Sequence, residues 1–289
     1  MSLLATVALS FLIHQAPATP PAAAPTRDEK IQTVGMLARA RAAGVVGMLV
    51  PAIRPSTWPA LVRLGARSAG AGVRLALGVH PQIVPELTEQ ESAQGQTEAL
   101  CAAIEATRRE HPGLVVAVGE CGLDGGTAEP ALQEQLFRAQ LRAARALRLP
   151  VIVHVLRAHD RAPAILRQER VFEFGGVMHS YSGGPDLVPV YRDLGLCFSF
   201  AGPATYPGSR RPVAAARAVP AELLLAETDA PDQAPAPYRG QRSEPAMVAE
   251  VIAGLAAARG QSPAEVAALT TANARRVFAA WQAMMTPAS

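Results

Sequence analysis

Short apolar runs rich in Val, Leu and Ile recur along the whole chain, separated by Ala/Leu/Arg-rich stretches with helical spacing. The runs are Leu4–Ile13, Val46–Ile53, Val73–Val79, Leu114–Val118, Val151–Val155, Gly176–Met178, Leu196–Phe200 and Leu223–Ala226. Most are continuous rather than alternating, which is the pattern of strands buried on both faces. Pro130 to Leu149 is the clearest helix between them. Leu132, Leu136, Phe137, Leu141, Ala144 and Leu147 fall on one face of it. Ser262-Pro263-Ala264-Glu265 reads as a capping box with proline at the first helical position, and Thr271 to Met284 is predicted as a last helix. Strand–helix alternation implies parallel strands with helical crossovers, and eight such units predict an α/β fold of the (β/α)8 TIM-barrel type. The runner-up is an open doubly wound sheet. No Gly-x-Gly-x-x-Gly follows any strand, which weakens its dinucleotide-binding version.

With 289 residues and 49% apolar content, the chain can bury one large core. No long linker, repeat or charge block divides it, so residues 31–289 are read as one barrel domain. Residues 1–30 are an atypical N-terminal segment, apolar to Ile13 and Ala/Pro-rich to Pro25. Three readings of it stay open. It is a secretory signal with Ala16-Pro17-Ala18 as cleavage site, although no Lys or Arg precedes the apolar run; or a first barrel strand and Pro-rich loop; or not the ordinary start of such a chain. The longest largely apolar run, Leu3 to Ile13, is short of the roughly 18 residues that a membrane span needs. Cys101, Cys121 and Cys197 are too scattered for a disulfide framework or a Cys-x-x-Cys zinc module, so a reducing, cytoplasmic compartment is expected. The net charge of +3 is mild, Lys30 is the only lysine, and no basic run of the kind that coats DNA is present.

The chemistry is read from what ends each strand. His80 follows Ala76-Leu77-Gly78-Val79, Glu120 follows Val115 to Gly119, His154 follows Val151-Ile152-Val153, His179 follows Gly176-Val177-Met178, and Glu227 and Asp229 follow Leu223 to Ala226. In a barrel those ends converge on one face, where the active sites of this fold lie. Mixed imidazole and carboxylate ligands suit zinc, manganese, iron or nickel better than calcium. A shared carboxylate such as Glu120 is able to bridge two cations. No Gly-x-Ser-x-Gly elbow offers a serine nucleophile, and Cys121, one step beyond Glu120, is read as packing.

Gly78-Val79-His80-Pro81, Val118-Gly119-Glu120-Cys121-Gly122-Leu123-Asp124, Pro150 to His154, Met178-His179-Ser180-Tyr181-Ser182-Gly183 and Glu227-Thr228-Asp229-Ala230-Pro231, in this order, resemble the TatD family of metal-dependent hydrolases. Tyr238 to Pro245 and Thr271 to Phe278 resemble its C-terminal signatures, and the resemblance spans roughly Val34 to Phe278. Arg157-Ala158-His159-Asp160 and Thr205-Tyr206-Pro207 look most like its YjjV-type branch. The resemblance implies a barrel with a dinuclear metal centre that hydrolyses phosphoester bonds; members include 3′-to-5′ deoxyribonucleases. It implies that Glu120 bridges both metals, that His154 and His179 complete one site, and that Asp229 binds the other metal and orients its water. Asp229 and Glu120 are thus the expected catalytic pair, with His80, Tyr206 and Arg239 on the substrate side.

One departure is large. The family's first strand ends in Asp-x-His-x-His, and this chain has no such motif. His14 is the nearby histidine and the candidate remnant ligand. Two departures are small: Gln82 stands where relatives carry a second histidine, and Val155-Leu156 replaces more polar residues. The expected cofactor is a divalent metal ion, zinc, manganese or magnesium, one or two per chain. The expected partner is a phosphodiester, with DNA among the candidates, and no membrane. The competing readings are a catalytically impaired barrel that acts as a binding protein, and a hydrolase of another ester or an amide.

Overall fold

The computed structural model describes residues 6–9 and 27–279, and side chains from residue 34 onward. Eight parallel strands follow one another in sheet order, β1 (Thr6–Leu9), β2 (Val45–Pro51), β3 (Val73–Leu77), β4 (Val115–Asp124), β5 (Val151–Leu156), β6 (Gly176–Met178), β7 (Leu196–Phe200) and β8 (Leu224–Ala226). β8 returns to the side of β1, so the sheet curls into a (β/α)8 barrel. Each predicted strand is present. β1 shows that the first thirty residues contribute a strand, paired with β2; His14 lies outside the described residues.

Two differences from the sequence reading have local causes. β4 runs on to Asp124 because the chain resumes pairing with β5 beyond Val118, at Cys121↔Val153 through Asp124↔Leu156. The last helix spans Pro263–Val277 instead of starting at Thr271. The Ser262 capping box starts it, with Glu265 N–H on Ser262 Oγ at 3.3 Å and Ser262 N–H on Glu265 at 2.7 Å. No glycine or proline interrupts Val266 to Thr270, so the helix continues through Thr271.

Two apolar layers hold the barrel. The outer layer lies between strands and helices; Val151 and Val153 of β5 belong to it, with Leu136, Phe137 and Leu141 of the helix Pro130–Leu147. The inner layer is a plug inside the barrel that includes Leu49, Ala76, Ile152, Val177, Cys197 and Leu225. Strand residues alternate between these layers. Among the described residues no helix is long and apolar enough to cross a membrane.

Candidate metal centre

The plug residues set the parity of everything above them. Two positions beyond Ile152, Val177, Cys197 and Leu225 stand His154, His179, Ser199 and Glu227, which therefore point into the same lumen one layer nearer the carboxyl ends of the strands. Asp229 lies two further on, past β8, with φ of 51°, and Ser180 has φ of 40°. Both sit in the left-handed region that non-glycine residues occupy sparingly, as residues at functional sites often do.

Glu120 arrives by irregularity. Between Val118↔Val151 and Cys121↔Val153, β4 advances three residues while β5 advances two. That extra residue is a bulge, which re-aims side chains locally. Beyond it, Gly122 (φ 148°) lies so close to β5 that a Cβ there would sit 1.9 Å from the carbonyl oxygen of His154. Only glycine lets the strand carrying Glu120 lie against the strand carrying His154.

Glu120 has no solvent-accessible surface. Its Oε1 is 3.2 Å from His80 Nε2, 3.1 Å from His154 Nδ1 and 3.9 Å from His179 Nε2. Its Oε2 is buried with no hydrogen-bond partner. An unpaired buried carboxylate oxygen costs more than the ~1–3 kcal/mol of a neutral group unless something positive meets it. Ligands at about 2.1 Å from a tetrahedral cation stand about 3.4 Å apart, within the range of separations seen here. The unsatisfied oxygen and the imidazoles around it fit a divalent cation at Glu120: the ligand atoms of His80, Glu120 and His154 lie within 4.8 Å of one another, and His179 Nε2 stands 3.9 Å from Glu120 Oε1.

Outer partners fix these ligands. His179 Nδ1 donates to Glu227 Oε2 at 2.7 Å, and its Nε2 faces Asp229 Oδ1 at 3.0 Å. Burial opposes charge on this ring, but Glu120, Glu227 and Asp229 around it raise its pKa well above the ordinary histidine value. His154 Nε2 faces Asp124 Oδ2 at 3.3 Å, and Asp124 also takes the Gln82 amide at 2.8 Å and the Gly126 N–H at 2.8 Å. Burial again opposes protonation of His154; its bonds to Asp124 and Glu120 push it up to about 9. Burial would raise Glu120, yet His179, His80 and His154 hold it well below the usual carboxylate range. This surplus of negative charge around two imidazoles is what a divalent cation neutralises.

The third histidine behaves differently. The ligand atoms of His80, Glu120 and His154 all lie within 4.8 Å of one another, so distance alone admits His80 as a ligand. But Gln82 N–H donates to His80 Nδ1 at 3.1 Å. A neutral ring whose Nδ1 accepts carries its proton on Nε2. Burial lowers the pKa of His80, which keeps the ring neutral. His80 therefore presents an N–H donor to the centre.

A cavity of about 550 Å³ opens above these groups, lined among others by His80, Glu120, His154, His179, Asp229 and Arg211. Glu120, His154, His179 and Asp229 thus converge at one mouth. Tyr206 and Arg239, expected on the substrate side, are not among the residues lining this cavity. The Tyr206 hydroxyl donates to Ala234 O at 2.9 Å, and the Arg239 guanidinium lies 4.6 Å over its ring. Sequence reasoning did not assign roles to Glu227, Asp124, Gln82, Arg211 or Gln233, whose amide donates to Asp229 Oδ2. Asp124 closes the run Glu120-Cys121-Gly122-Leu123-Asp124, so the sequence carries a signal for it.

Comparisons with known proteins give the family. The TatD related DNase family profile matches residues 24–279. The metal-dependent hydrolase YabD of Bacillus subtilis is 32% identical over 70% of this chain and 76% of its own length. The 3′-5′ ssDNA/RNA exonuclease TatD of Klebsiella pneumoniae is 35% identical over 84% of this chain and 90% of its own. Among solved structures, the TatD homologue YjjV of Escherichia coli K12 superposes with a TM-score of 0.77 at 30% identity, covering 88% of this chain and 94% of that one. The chain belongs to the TatD family of metal-dependent hydrolases.

Proposed function

We propose that this protein is a metal-dependent phosphodiesterase acting on single-stranded nucleic acid. The observation that carries the reading is the buried, unpartnered Oε2 of Glu120 among three imidazoles at the mouth of the barrel. The relatives called 3′-5′ ssDNA/RNA exonuclease supply the substrate class.

Glu120, His154 and His179 would hold the cation. Such a cation supplies Lewis-acid polarisation of a phosphoryl oxygen and a water acidic enough to ionise near neutral pH. Asp229 would serve as general base at the cavity wall: its Oδ1 faces His179 and its Oδ2 takes the Gln233 amide, so the carboxylate is held there. Arg211 lines the same space as a donor for the charge that develops on the phosphoryl oxygens, while the Nε2–H of His80 is held by Glu120 Oε1 and orients that carboxylate. Asp124 and Gln82 keep His154 in place, and Glu227 keeps His179 in place.

The test is hydrolysis of bis-p-nitrophenyl phosphate and of 3′-labelled single-stranded oligonucleotides after loading with manganese, zinc or magnesium, with lactone and amide substrates in parallel. Chelator-sensitive release of mononucleotides supports the reading. Turnover of only the lactone or amide overturns it. One observation favours a second reading, a barrel that binds its ligand without cleaving it: the chain lacks the Asp-x-His-x-His that furnishes two histidines to one metal in the family. Nucleotide binding without hydrolysis under every metal would establish it.

A further inference from the structure

A second polar chain reaches the cavity wall without touching the metal centre. His159, in the loop after β5, stands between Tyr191 and Ser182. Its Nδ1 is 2.7 Å from the Tyr191 hydroxyl and its Nε2 is 3.1 Å from Ser182 Oγ. Ser182 Oγ is also 2.8 Å from the carbonyl oxygen of Val155, which can only accept.

Counting protons sets the direction of this chain. With Ser182 donating to Val155, Ser182 must accept from His159 Nε2–H, and the bare Nδ1 takes the Tyr191 proton. All three bonds are made. In the reverse direction Ser182 donates to His159, and the Val155 bond is lost. Tyr191 is fully buried and its ring packs edge-on against Tyr181, so the far end of the chain is held by the core. Burial, then the charge of Arg211, lower the pKa of His159, in keeping with the neutral ring that this arrangement needs.

Ser182 lines the cavity with its own proton turned into the wall. What it offers a ligand is an oxygen lone pair. A phosphate diester has no proton to give it; a sugar hydroxyl has. We propose that Ser182 is a specificity-determining acceptor that reads a hydroxyl of the substrate, with His159 and Tyr191 as its positioning residues. For the substrate class this rests on the phosphodiesterase reading above. Arg211 takes the anionic oxygens, and Ser182 takes the hydroxyl beside them.

The test uses calorimetric titration with four nucleotides, which requires no turnover. Adenosine 5′-monophosphate and its 2′-deoxy, 3′-deoxy and 2′,3′-dideoxy forms separate the two hydroxyls a nucleotide could offer. In the wild type, removing the hydroxyl that is read should weaken binding about fivefold to tenfold, the worth of one neutral hydrogen bond. Ser182→Ala should level the four affinities by weakening only the hydroxyl-bearing ligands. Tyr191→Phe should narrow the discrimination while leaving the dideoxy affinity unchanged; a purely structural role would weaken all four alike. Nitrogen-15 spectra of histidine in the wild type should show His159 protonated at Nε2. Equal affinity of the wild type for all four nucleotides, or an Nδ1-protonated His159, overturns the proposal. Binding of none of the four, by contrast, counts against the phosphodiesterase reading and removes the substrate class with it.

Discussion

Glu227 accepts the Nδ1–H of His179 at 2.7 Å from a carboxylate with no solvent-accessible surface. The same carboxylate takes the Ser199 hydroxyl at 2.6 Å and the Ser180 N–H at 2.5 Å, so its own position is fixed from three sides. One ring nitrogen of His179 is thereby committed, and the other is turned toward Asp229 and Glu120. A carboxylate behind a metal-ligating histidine sets both ring orientation and basicity, and its loss typically weakens metal binding about 10–100-fold. Glu227→Gln should show that loss in competition against a chromophoric chelator. An unchanged metal affinity would remove His179 from the ligand set.

Asp229 carries the complementary prediction. Its side chain is 13% exposed at the cavity wall and touches His179 and Gln233 rather than the apolar plug. Asp229→Ala should therefore lower kcat by about 10²–10⁴, the usual worth of a positioned general base, with the unfolding temperature nearly unchanged. His179→Ala should instead lose metal before it loses fold. Full activity in Asp229→Ala would show that another group accepts the proton.

Much of this site could be read from the sequence because the strands are short and continuous. Where an apolar run stops at a polar residue, as Met178 does before His179, the stop marks the carboxyl end of the strand, whereas β5 runs two residues past His154 to Leu156. What period two could not separate was Glu227 from Asp229, since both have inward parity. The φ of 51° at Asp229 is a backbone property that the residue type does not declare. The bulge in β4 was hidden for the same reason. Tyr206 and Arg239, expected on the substrate side from the resemblance, stack on one another instead. Gln82, read as a departure, is the residue whose side-chain amide bonds Asp124 and whose N–H fixes the tautomer of His80.

Metal stoichiometry follows from ligand supply. A catalytic transition-metal site commonly uses about three protein ligands and a water. Among the described residues, Glu120, His154 and His179 would reach that number, since the ring proton of His80 is set on Nε2 by Gln82 and held by Glu120. Elemental analysis after loading and desalting should give nearer one metal per chain than two. Grafting Asp-x-His-x-His at the end of the first strand should raise the ratio. Two tightly held metals in the unmodified chain would mean that residues outside this set, His14 among them, complete a second site.

A final prediction concerns the loop that follows β2 and frames the mouth. Arg54 grips Glu91 with two nitrogens, Nε to Oε1 at 3.1 Å and Nη2 to Oε2 at 3.2 Å, and the Glu91 side chain is only 9% exposed. Glu91 also closes the capping box of the helix Glu89–Gln94 by accepting Thr88 N–H at 3.1 Å. Burial alone would raise its pKa, but the bonds from Arg54, Ser56 and Thr88 hold it down to about 2. A carboxyl whose folded pKa lies below its unfolded value stabilises the fold above the unfolded pKa. That contribution is lost as pH falls through the folded one. The window is therefore about pH 4.5 down to about pH 2, and the full contribution near neutrality is on the order of 3 kcal/mol. Glu91→Gln should be destabilised by about that amount at pH 7 in urea unfolding, and the gap to the wild type should narrow steadily below pH 4.5. A gap independent of pH would show that Glu91 acts through packing and its cap bonds alone, and that the Arg54 pair adds nothing to stability.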